Sequence, residues 1–111
     1  ARHKTDGERI LMPFVGSQER MLRYSAAMGL IYYQKAEARP VLNEIMSLGY
    51  ENRSPNELNG AQVEVLKLNV ITHIEKANAK ELLDLAQSAA ENDSNIKVST
   101  QAKQVVNLLK N

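Results

Sequence analysis

The feature that most constrains this chain is the stretch of residues 17–49, where small side chains recur inside a helical pattern. Its first half predicts a helix from Ser17 to Tyr33, because apolar side chains return every three or four residues. After a short polar joint, its second half predicts a helix from Ala36 to Leu48. Side-chain size sets how closely two helices can approach. The small residues that would allow close packing here are Ala26, Ala27 and Gly29.

The remaining sequence predicts four more helices, so the whole chain is predicted to be all-α, with about six antiparallel helices. A short first helix, from Glu8 to Val15, is predicted to kink or end at Pro13 and to close at Gly16, because proline lacks an N–H and clashes with the preceding turn. The last two helices are predicted from Asn78 to Glu91 and from Ile96 to Leu109.

The fourth predicted helix follows Ser54-Pro55-Asn56-Glu57, where serine at the N-cap and glutamate three residues later form a capping box. Its β-branched residues between Val63 and Ile74 also suit a strand. The apolar positions 63, 66, 70 and 74 follow helical spacing without a turn, so helix is favoured. Gly60 either bends this helix or divides it.

Three helix ends have local predictions of their own. Ser17 and Asn78 are predicted N-caps, since both residue types accept hydrogen bonds from the free amides of a first turn. Gly49 is predicted to end the helix that begins near Ala36, at the C′ position.

Composition supports one soluble helical domain. With 111 residues, 43% hydrophobic and 24% charged, the chain is sized for a single core, predicted over residues 8–111 after a flexible tail of residues 1–7. Five glycines and three prolines are too few for a sandwich of many short strands. No apolar run approaches the roughly 18 residues that span a bilayer. The absence of cysteine is consistent with a reducing compartment, and we expect a cytoplasmic protein.

No motif for chemistry is present, so we expect no catalytic residue, metal site or cofactor. The acidic residues are spread singly along polar faces, and there is no glycine-rich phosphate loop or nucleophile motif. His73 is the only internal histidine and has no second ligand at metal-binding spacing. It is predicted to be a packed or surface residue, and the protein is predicted not to be an enzyme.

An internal repeat is visible when the second and last predicted helices are aligned. Leu22, Ala26 and Leu30 place an aliphatic, a small and an aliphatic residue at spacings of four. Val98, Ala102 and Val106 repeat that order about 76 residues later, or two periods of about 38 residues. A middle copy near residues 60–68 matches poorly, since Glu64 takes the place of the alanine.

These residues resemble the HEAT or armadillo family of helical repeats, whose second helix reads aliphatic-Arg-x-x-Ala-Ala-x-x-Leu. The matching residues are Leu22, Arg23, Ala26, Ala27 and Leu30. The resemblance covers about 90 residues and implies three stacked helical hairpins, an α-solenoid that binds another protein. Small bacterial proteins of this kind are often immunity or antidote proteins that cover a cognate toxin, which is an analogy of fold.

The leading hypothesis is therefore a non-enzymatic protein-binding module. Positively charged and tyrosine side chains around the second inter-helix joint are the candidate partner-binding residues, since tyrosine and arginine are common interface anchors. They are Arg20, Arg23, Tyr24, Tyr32, Tyr33, Lys35 and Arg39.

Two alternatives remain open. The first is a nucleic-acid-binding helical domain that uses the same basic residues, although Glu19 and Glu37 lie among them and the net charge is only +1. The second is a scaffold or oligomerisation segment of a larger protein, suggested by a sequence that starts at Ala1 rather than methionine.

Overall fold

A computed structural model describes residues 9–51 and 58–110. Within these residues the protein is all-α, with six helical stretches and no strand, as predicted. The predictions of a flexible tail over residues 1–7 and of a capping box at Ser54–Glu57 lie outside the described residues.

The N-terminal segment, residues 9–16, changes helix type at its proline. Residues 9–11 are α-helical, and a 3-10 helix follows from Met12–Gly16 with Pro13 in its first turn. The predicted interruption at Pro13 is confirmed, because a proline there cannot supply the amide that an α-helix needs.

Helix α1 covers Arg20–Leu30 and is followed by a 3-10 turn, Ile31–Tyr33. The prediction that Ser17 is its N-cap is wrong: Glu19 is the N-cap, and Ser17 Oγ accepts from the Glu19 amide at 3.1 Å, outside the helix. The chain turns away at Gln34, which adopts a left-handed conformation with φ of 56°.

Helix α2 covers Arg39–Met46, after a 3-10 turn at Ala36–Ala38. Pro40 lies in the first turn of α2, where its missing N–H costs nothing. Gly49 does not end the helix: α2 stops at Met46, Ser47 is the C-cap, and no described glycine has a positive φ.

Helix α3 covers Gly60–Lys76, so the segment predicted to be helical rather than extended is indeed a helix. Asn59 is its N-cap, and a reciprocal capping box joins Asn59 and Gln62 through two bonds of 2.9 Å. Gly60 is therefore the first residue of α3 and does not lie inside it.

Helix α4 covers Leu83–Asn92, and helix α5 covers Ile96–Lys110. Asn78 is not an N-cap. It has a left-handed φ of 51° and ends α3, where the amides of Asn78 and Ala79 donate to Glu75 and Ile74 at 3.0 Å each. This is the Schellman arrangement of a helix C-terminus, which asparagine tolerates.

One continuous core joins the helices. Ala26 and Ala27, two of the small residues predicted to allow close packing, are 2% and 0% exposed, and Ala102, the small residue of the repeat in the last helix, is 0% exposed. The buried side chains of α5 are Val98, Ala102, Val105, Val106 and Leu109. The stacking of hairpins as a HEAT-type solenoid stays a prediction.

Side-chain contacts give the molecule two distinct ends. At one, which we call the Asp93 end, α1 and α3 start, α2 and α4 finish and α5 starts; its contacts join Arg23 to Glu44 and Tyr50 to Asp93. At the other, which we call the Tyr32 end, Tyr32 contacts His73 and Arg39 contacts Asp84.

Candidate functional site

The most unusual group in the described part of the chain is a buried ion pair at the Asp93 end. Lys67 Nζ lies 2.9 Å from Asp93 Oδ2, and each of the two side chains is only 4% exposed. Lysine and aspartate are rarely buried to this extent unless they are paired. The burial of this ion pair therefore requires neighbouring groups that stabilise both charges.

The surroundings satisfy both charges. Asp93 Oδ1 accepts from Tyr50 Oη at 2.6 Å and from the Asn95 amide at 2.9 Å. The ammonium of Lys67 lies 4.4 Å from the centroid of the Tyr50 ring, which is cation–π geometry. The segment after α2, the middle of α3 and the α4–α5 turn thus meet at one carboxylate.

Local backbone structure positions each member of this cluster. Asp93 is the C-cap of α4 in an extended conformation, and its carboxylate accepts from the amide of Asn95, two residues further along the turn. Asn95 caps α5, with Oδ1 accepting from the Val98 amide at 3.1 Å, and its side-chain amide donates to Glu64 Oε1 at 2.9 Å. Tyr50 is held by close approach of its carbonyl to the start of α3 at Gly60.

The electrostatics of the cluster favour fixed protonation states at neutral pH. Burial alone would raise the pKa of Asp93, but the hydrogen bonds from Tyr50, Lys67 and Asn95 outweigh it and lower that pKa. Burial, together with the hydrogen bond to Asp93, raises the pKa of Tyr50. A general acid or base works best with a pKa near the operating pH. Asp93 and Tyr50 are both shifted away from it, so the cluster is suited to holding elements together.

A cavity of about 650 Å³ opens beside this cluster. It lies between the end of α2, residues 47–51 and the end of α4, and its floor contains buried Lys67, Leu85 and Ala89. Its exposed rim carries polar side chains, one of them a carboxylate, which are Asn43, Ser47, Glu51, Ser88, Asn92 and Ser94. Its volume is within the range of ligand sites, but its lining is more polar than the mostly apolar lining that such sites have.

No family model, curated protein or solved structure matches this chain. The resemblance to HEAT repeats therefore stays a prediction from sequence.

The seven predicted partner-binding residues do not form one site. Arg20, Arg23 and Tyr24 lie at the Asp93 end. Tyr32, Tyr33, Lys35 and Arg39 lie at the Tyr32 end. The two groups are separated by the length of α1, because Arg20 begins that helix and Tyr32 follows its last residue.

At the Asp93 end, Arg23 and Tyr24 are engaged within the molecule. Arg23 makes a bidentate ion pair with Glu44, at 3.1 and 2.6 Å, and its guanidinium also donates to the Ser17 carbonyl at 2.9 Å. Tyr24 is 1% exposed and donates to Glu44 Oε2 at 2.7 Å, and its pKa is raised to about 12 by burial and by that bond. This network joins α1 to α2, and the ring of Tyr24 belongs to the core.

At the Tyr32 end, Tyr32 is 39% exposed and its hydroxyl lies 2.8 Å from His73 Nδ1, with the two rings edge to face. Burial, with a smaller contribution from Lys76, lowers the pKa of His73. Tyr33 is half-buried against the core, and Lys35 lines a small cavity of about 220 Å³.

The remaining predicted residue, Arg39, pairs with Asp84 and donates to the Glu81 carbonyl at 3.2 Å. Arg23 and Arg39, two of the four basic residues of the nucleic-acid hypothesis, thus neutralise acidic side chains of the same chain.

Sequence reasoning did not single out Tyr50, Lys67 or Asp93. One signal was present: Lys67 lies four residues after Val63 and four before Ile71, on the apolar stripe of α3. A lysine in that position indicates a buried acidic partner. Which of the many acidic residues supplies it depends on how α4 packs against α3.

Among residues 9–51 and 58–110, no group of three histidine, aspartate or glutamate side chains is arranged to hold a metal ion. None of the helices described is both long enough and apolar enough to cross a membrane.

Proposed function

We propose that this protein is a non-enzymatic protein-binding module whose partner docks at the Asp93 end. The observation that carries the proposal is the distribution of exposed apolar side chains. Eight large apolar residues are exposed in the described part of the chain. Four of them lie in the first two turns of helices that start at the Asp93 end, namely Met21, Leu22, Val65 and Ile96.

Their positions follow from the helix directions. Met21 and Leu22, 53% and 43% exposed, are in the first turn of α1, and Ile96, 79% exposed, is the first residue of α5. Scattered exposed apolar residues are normal, but their concentration at one end of a molecule is typical of an interaction surface. Burying them against a partner would recover the free energy of removing apolar area from water.

The narrower form of the proposal is an immunity or antidote protein that covers a cognate bacterial toxin. It is supported by the resemblance of Leu22 to Leu30 to a HEAT helix and by a small all-α fold. Such a protein acts by occlusion, which requires a complementary surface and no chemistry of its own.

Calorimetry tests the proposal with the protein encoded by the neighbouring reading frame as the titrant. We expect binding below about 1 μM for the wild-type chain. Met21→Asp should weaken binding by at least about tenfold, because it places an unpaired charge in the contact. Leu108→Asp is the matched control, since Leu108 is 58% exposed but lies near the end of α5, away from the Asp93 end.

The two variants separate the docking site from general effects on the fold. Equal weakening by Met21→Asp and Leu108→Asp would contradict docking at the Asp93 end, and no binding by the wild-type chain would contradict the toxin partner. Inhibition of the neighbouring protein's toxicity by the wild-type chain, lost in Met21→Asp, would support the narrower form.

A further inference from the structure

The residue that caps α3 is followed by the one residue type that makes an asparagine chemically labile. Asn59 is the only asparagine of the chain that precedes a glycine. In such a pair the backbone nitrogen of the glycine can attack Cγ of the asparagine, because glycine has no Cβ to hinder the approach. Asn59 and Gly60 therefore carry a reactivity that docking of a partner does not use.

Two separate contacts of the fold call for these two residue types. Asparagine is among the best N-cap residues, and Asn59 fills that position through its reciprocal capping box with Gln62. A glycine is needed directly after it, because a Cβ at Gly60 would lie 2.8 Å from the carbonyl oxygen of Tyr50. The start of α3 is thus built on a pair of residues that is prone to deamidation.

Deamidation of this pair needs only water as a co-reactant. The nitrogen of Gly60 loses its proton and forms a bond to Cγ of Asn59, while the bond from Cγ to Nδ2 breaks and ammonia leaves. Asn59 is exposed, so water reaches the imide ring that results and opens it at either of its carbonyl groups. Opening at Cγ gives aspartate. Opening at the backbone carbonyl gives isoaspartate, whose main chain is longer by a methylene group.

The capping box holds Asn59 in a conformation that cannot close this ring. A five-membered imide is nearly planar, so Cβ of Asn59 and the nitrogen of Gly60 must eclipse each other about the Cα–C bond. The observed ψ of 170° keeps these two atoms apart. Rotation about that bond turns Asn59 away from Gln62 and breaks both hydrogen bonds of the box, each 2.9 Å long. The ring can therefore form only when the first turn of α3 opens locally.

We propose that Asn59 is a site of spontaneous deamidation, that its capping box controls the rate, and that the isoaspartate product loosens the Asp93 end. The aspartate product has a milder effect. It keeps an acceptor for the Gln62 amide and adds a negative charge at a helix N-terminus, so the cap of α3 is retained.

The isoaspartate product acts on the contact that follows the cap. Its longer main chain displaces Gly60 from the close approach to the Tyr50 carbonyl. The side chain of Tyr50 donates to Asp93 at 2.6 Å and lies over the ammonium of Lys67. Slow chemical ageing at the start of α3 is therefore transmitted to the buried ion pair.

Peptide mapping by mass spectrometry tests the site and its control by the fold. The full chain is incubated at one mildly alkaline pH, either folded or unfolded in guanidinium chloride, and each conversion of an asparagine to an acid is timed. In the unfolded chain we expect Asn59 to react faster than any other asparagine. In the folded chain its rate should be at least about fivefold lower, because the cap must open first.

Two variants test the capping box itself. Gln62→Ala removes the side-chain acceptor of the box from an exposed position and should speed the reaction of the folded chain by about twofold or more. Gln104→Ala is the matched control at an exposed position on α5 and should leave the rate unchanged. Neither variant should alter the rate in guanidinium chloride.

The products are compared by their urea midpoints. Enzymatic methylation of isoaspartyl carboxylates identifies the isoaspartate fraction of the aged chain, and Asn59→Asp represents the other product. We expect the isoaspartate fraction to unfold at a lower urea concentration than Asn59→Asp. Equal midpoints would overturn the loosening of the Asp93 end.

The other outcomes decide the remaining steps. Faster reaction of a different asparagine in the unfolded chain would overturn Asn59 as the site. Equal rates for Asn59 in the folded and unfolded chain would overturn control by the fold, and equal folded-state rates for Gln62→Ala and Gln104→Ala would overturn control by the capping box. No partner is present in these measurements, so they do not depend on the docking test with Met21→Asp.

Discussion

At the scale of single residues, two of the ion pairs that join separate helices differ chiefly in burial. Lys67 and Asp93 are each 4% exposed, whereas Arg39 and Asp84 are 38% and 61% exposed. Exposed pairs contribute little because water screens them, while an unpaired charge in the interior is costly. The buried pair at the Asp93 end is therefore expected to affect stability more than the exposed pair at the Tyr32 end.

Asp93→Asn removes the negative charge and leaves the Lys67 ammonium buried without a counter-charge. We expect a loss of about 3 kcal/mol in the free energy of unfolding, measured by urea denaturation. Asp84→Asn is the matched control and should cost less than about 1 kcal/mol. Equal losses in the two variants would show that the burial of Asp93 does not govern its contribution.

The lowered pKa of Asp93 predicts how stability depends on acid. Because the pKa is lower in the folded than in the unfolded protein, the unfolded chain binds more protons as pH falls. The contribution of Asp93 is thus complete above the unfolded value of about 3.9 and is lost as pH falls through the folded value. Urea midpoints of the wild type should fall in this window more steeply than those of Asp93→Asn. Parallel curves would contradict the assignment.

At alkaline pH the dependence of stability on pH has the opposite sign, because stability is lost as pH rises. The pKa of Tyr24 is raised to about 12, so its contribution to stability is complete below the unfolded value of about 10 and is lost as pH rises towards 12. Ultraviolet absorbance should show one tyrosine of the folded wild type ionising near pH 12, and Tyr24→Phe should remove that step. A step that persists in Tyr24→Phe would contradict the assignment.

At the scale of elements, the start of α3 is specified by its cap and by a close contact. The capping box of Asn59 and Gln62 satisfies two free backbone amides. Directly after it, a Cβ at Gly60 would lie 2.8 Å from the carbonyl oxygen of Tyr50. The first turn of α3 and the segment that carries Tyr50 are thus positioned together.

Asn59→Ala tests the cap. We expect a loss of about 1 kcal/mol, because the Gln62 amide loses its acceptor at the N-terminus of α3. Asn69→Ala, at an exposed position inside the same helix, should be neutral or slightly stabilising. Urea denaturation measures both, and a loss no larger in Asn59→Ala than in Asn69→Ala would count against the cap.

The variants Gly60→Ala and Gly29→Ala each add a Cβ close to another atom. The neighbouring atom is rigid at Gly60 and flexible at Gly29. A Cβ at Gly29 would also come close, 2.7 Å from Leu11 Cδ1, but that atom is the tip of a side chain that can rotate away. The Tyr50 carbonyl is backbone. We therefore expect Gly60→Ala to destabilise by about 1–3 kcal/mol and Gly29→Ala to cost less in thermal unfolding. The reverse order would contradict this account of the α3 start.

At the scale of the whole molecule, α3 is the central element. It contacts α1, α2, α4 and α5, and it supplies Lys67 to the Asp93 end and His73 to the Tyr32 end. Its buried apolar side chains are Val63, Leu66, Val70, Ile71 and Ile74. Loss of α3 would therefore expose core surface on each of the other four helices.

Native-state hydrogen exchange should reflect this position. We expect the amides from Val63 to Ile74 to exchange most slowly, at a free energy close to that of global unfolding, and residues 9–11 to exchange fastest among the helices. Slower exchange in α4 and α5 than in α3 would indicate that this pair of helices forms the stable unit instead.

How far sequence alone predicts this protein depends on the range of the interaction involved. The helical spacing of positions 63, 66, 70 and 74 correctly outweighed the β-branched composition of α3. The N-cap predictions at Ser17 and Asn78 failed because serine and asparagine have more than one local use. Ser17 caps nothing within α1, and Asn78 adopts the left-handed conformation that ends α3.

The sequence by itself determined that the chain is helical and that Pro13 interrupts its first segment. It also determined that Ala26, Ala27 and Ala102 face the interior. These features depend on periodicity and side-chain size, which act over neighbouring turns of a helix. Only the tertiary structure decided that Lys67 pairs with Asp93 beneath Tyr50, and that the predicted binding residues fall at two opposite ends. These contacts join residues at least 17 positions apart in sequence. Their geometry exists only when α2, α3 and α4 pack together, and the local sequence pattern does not predict that packing.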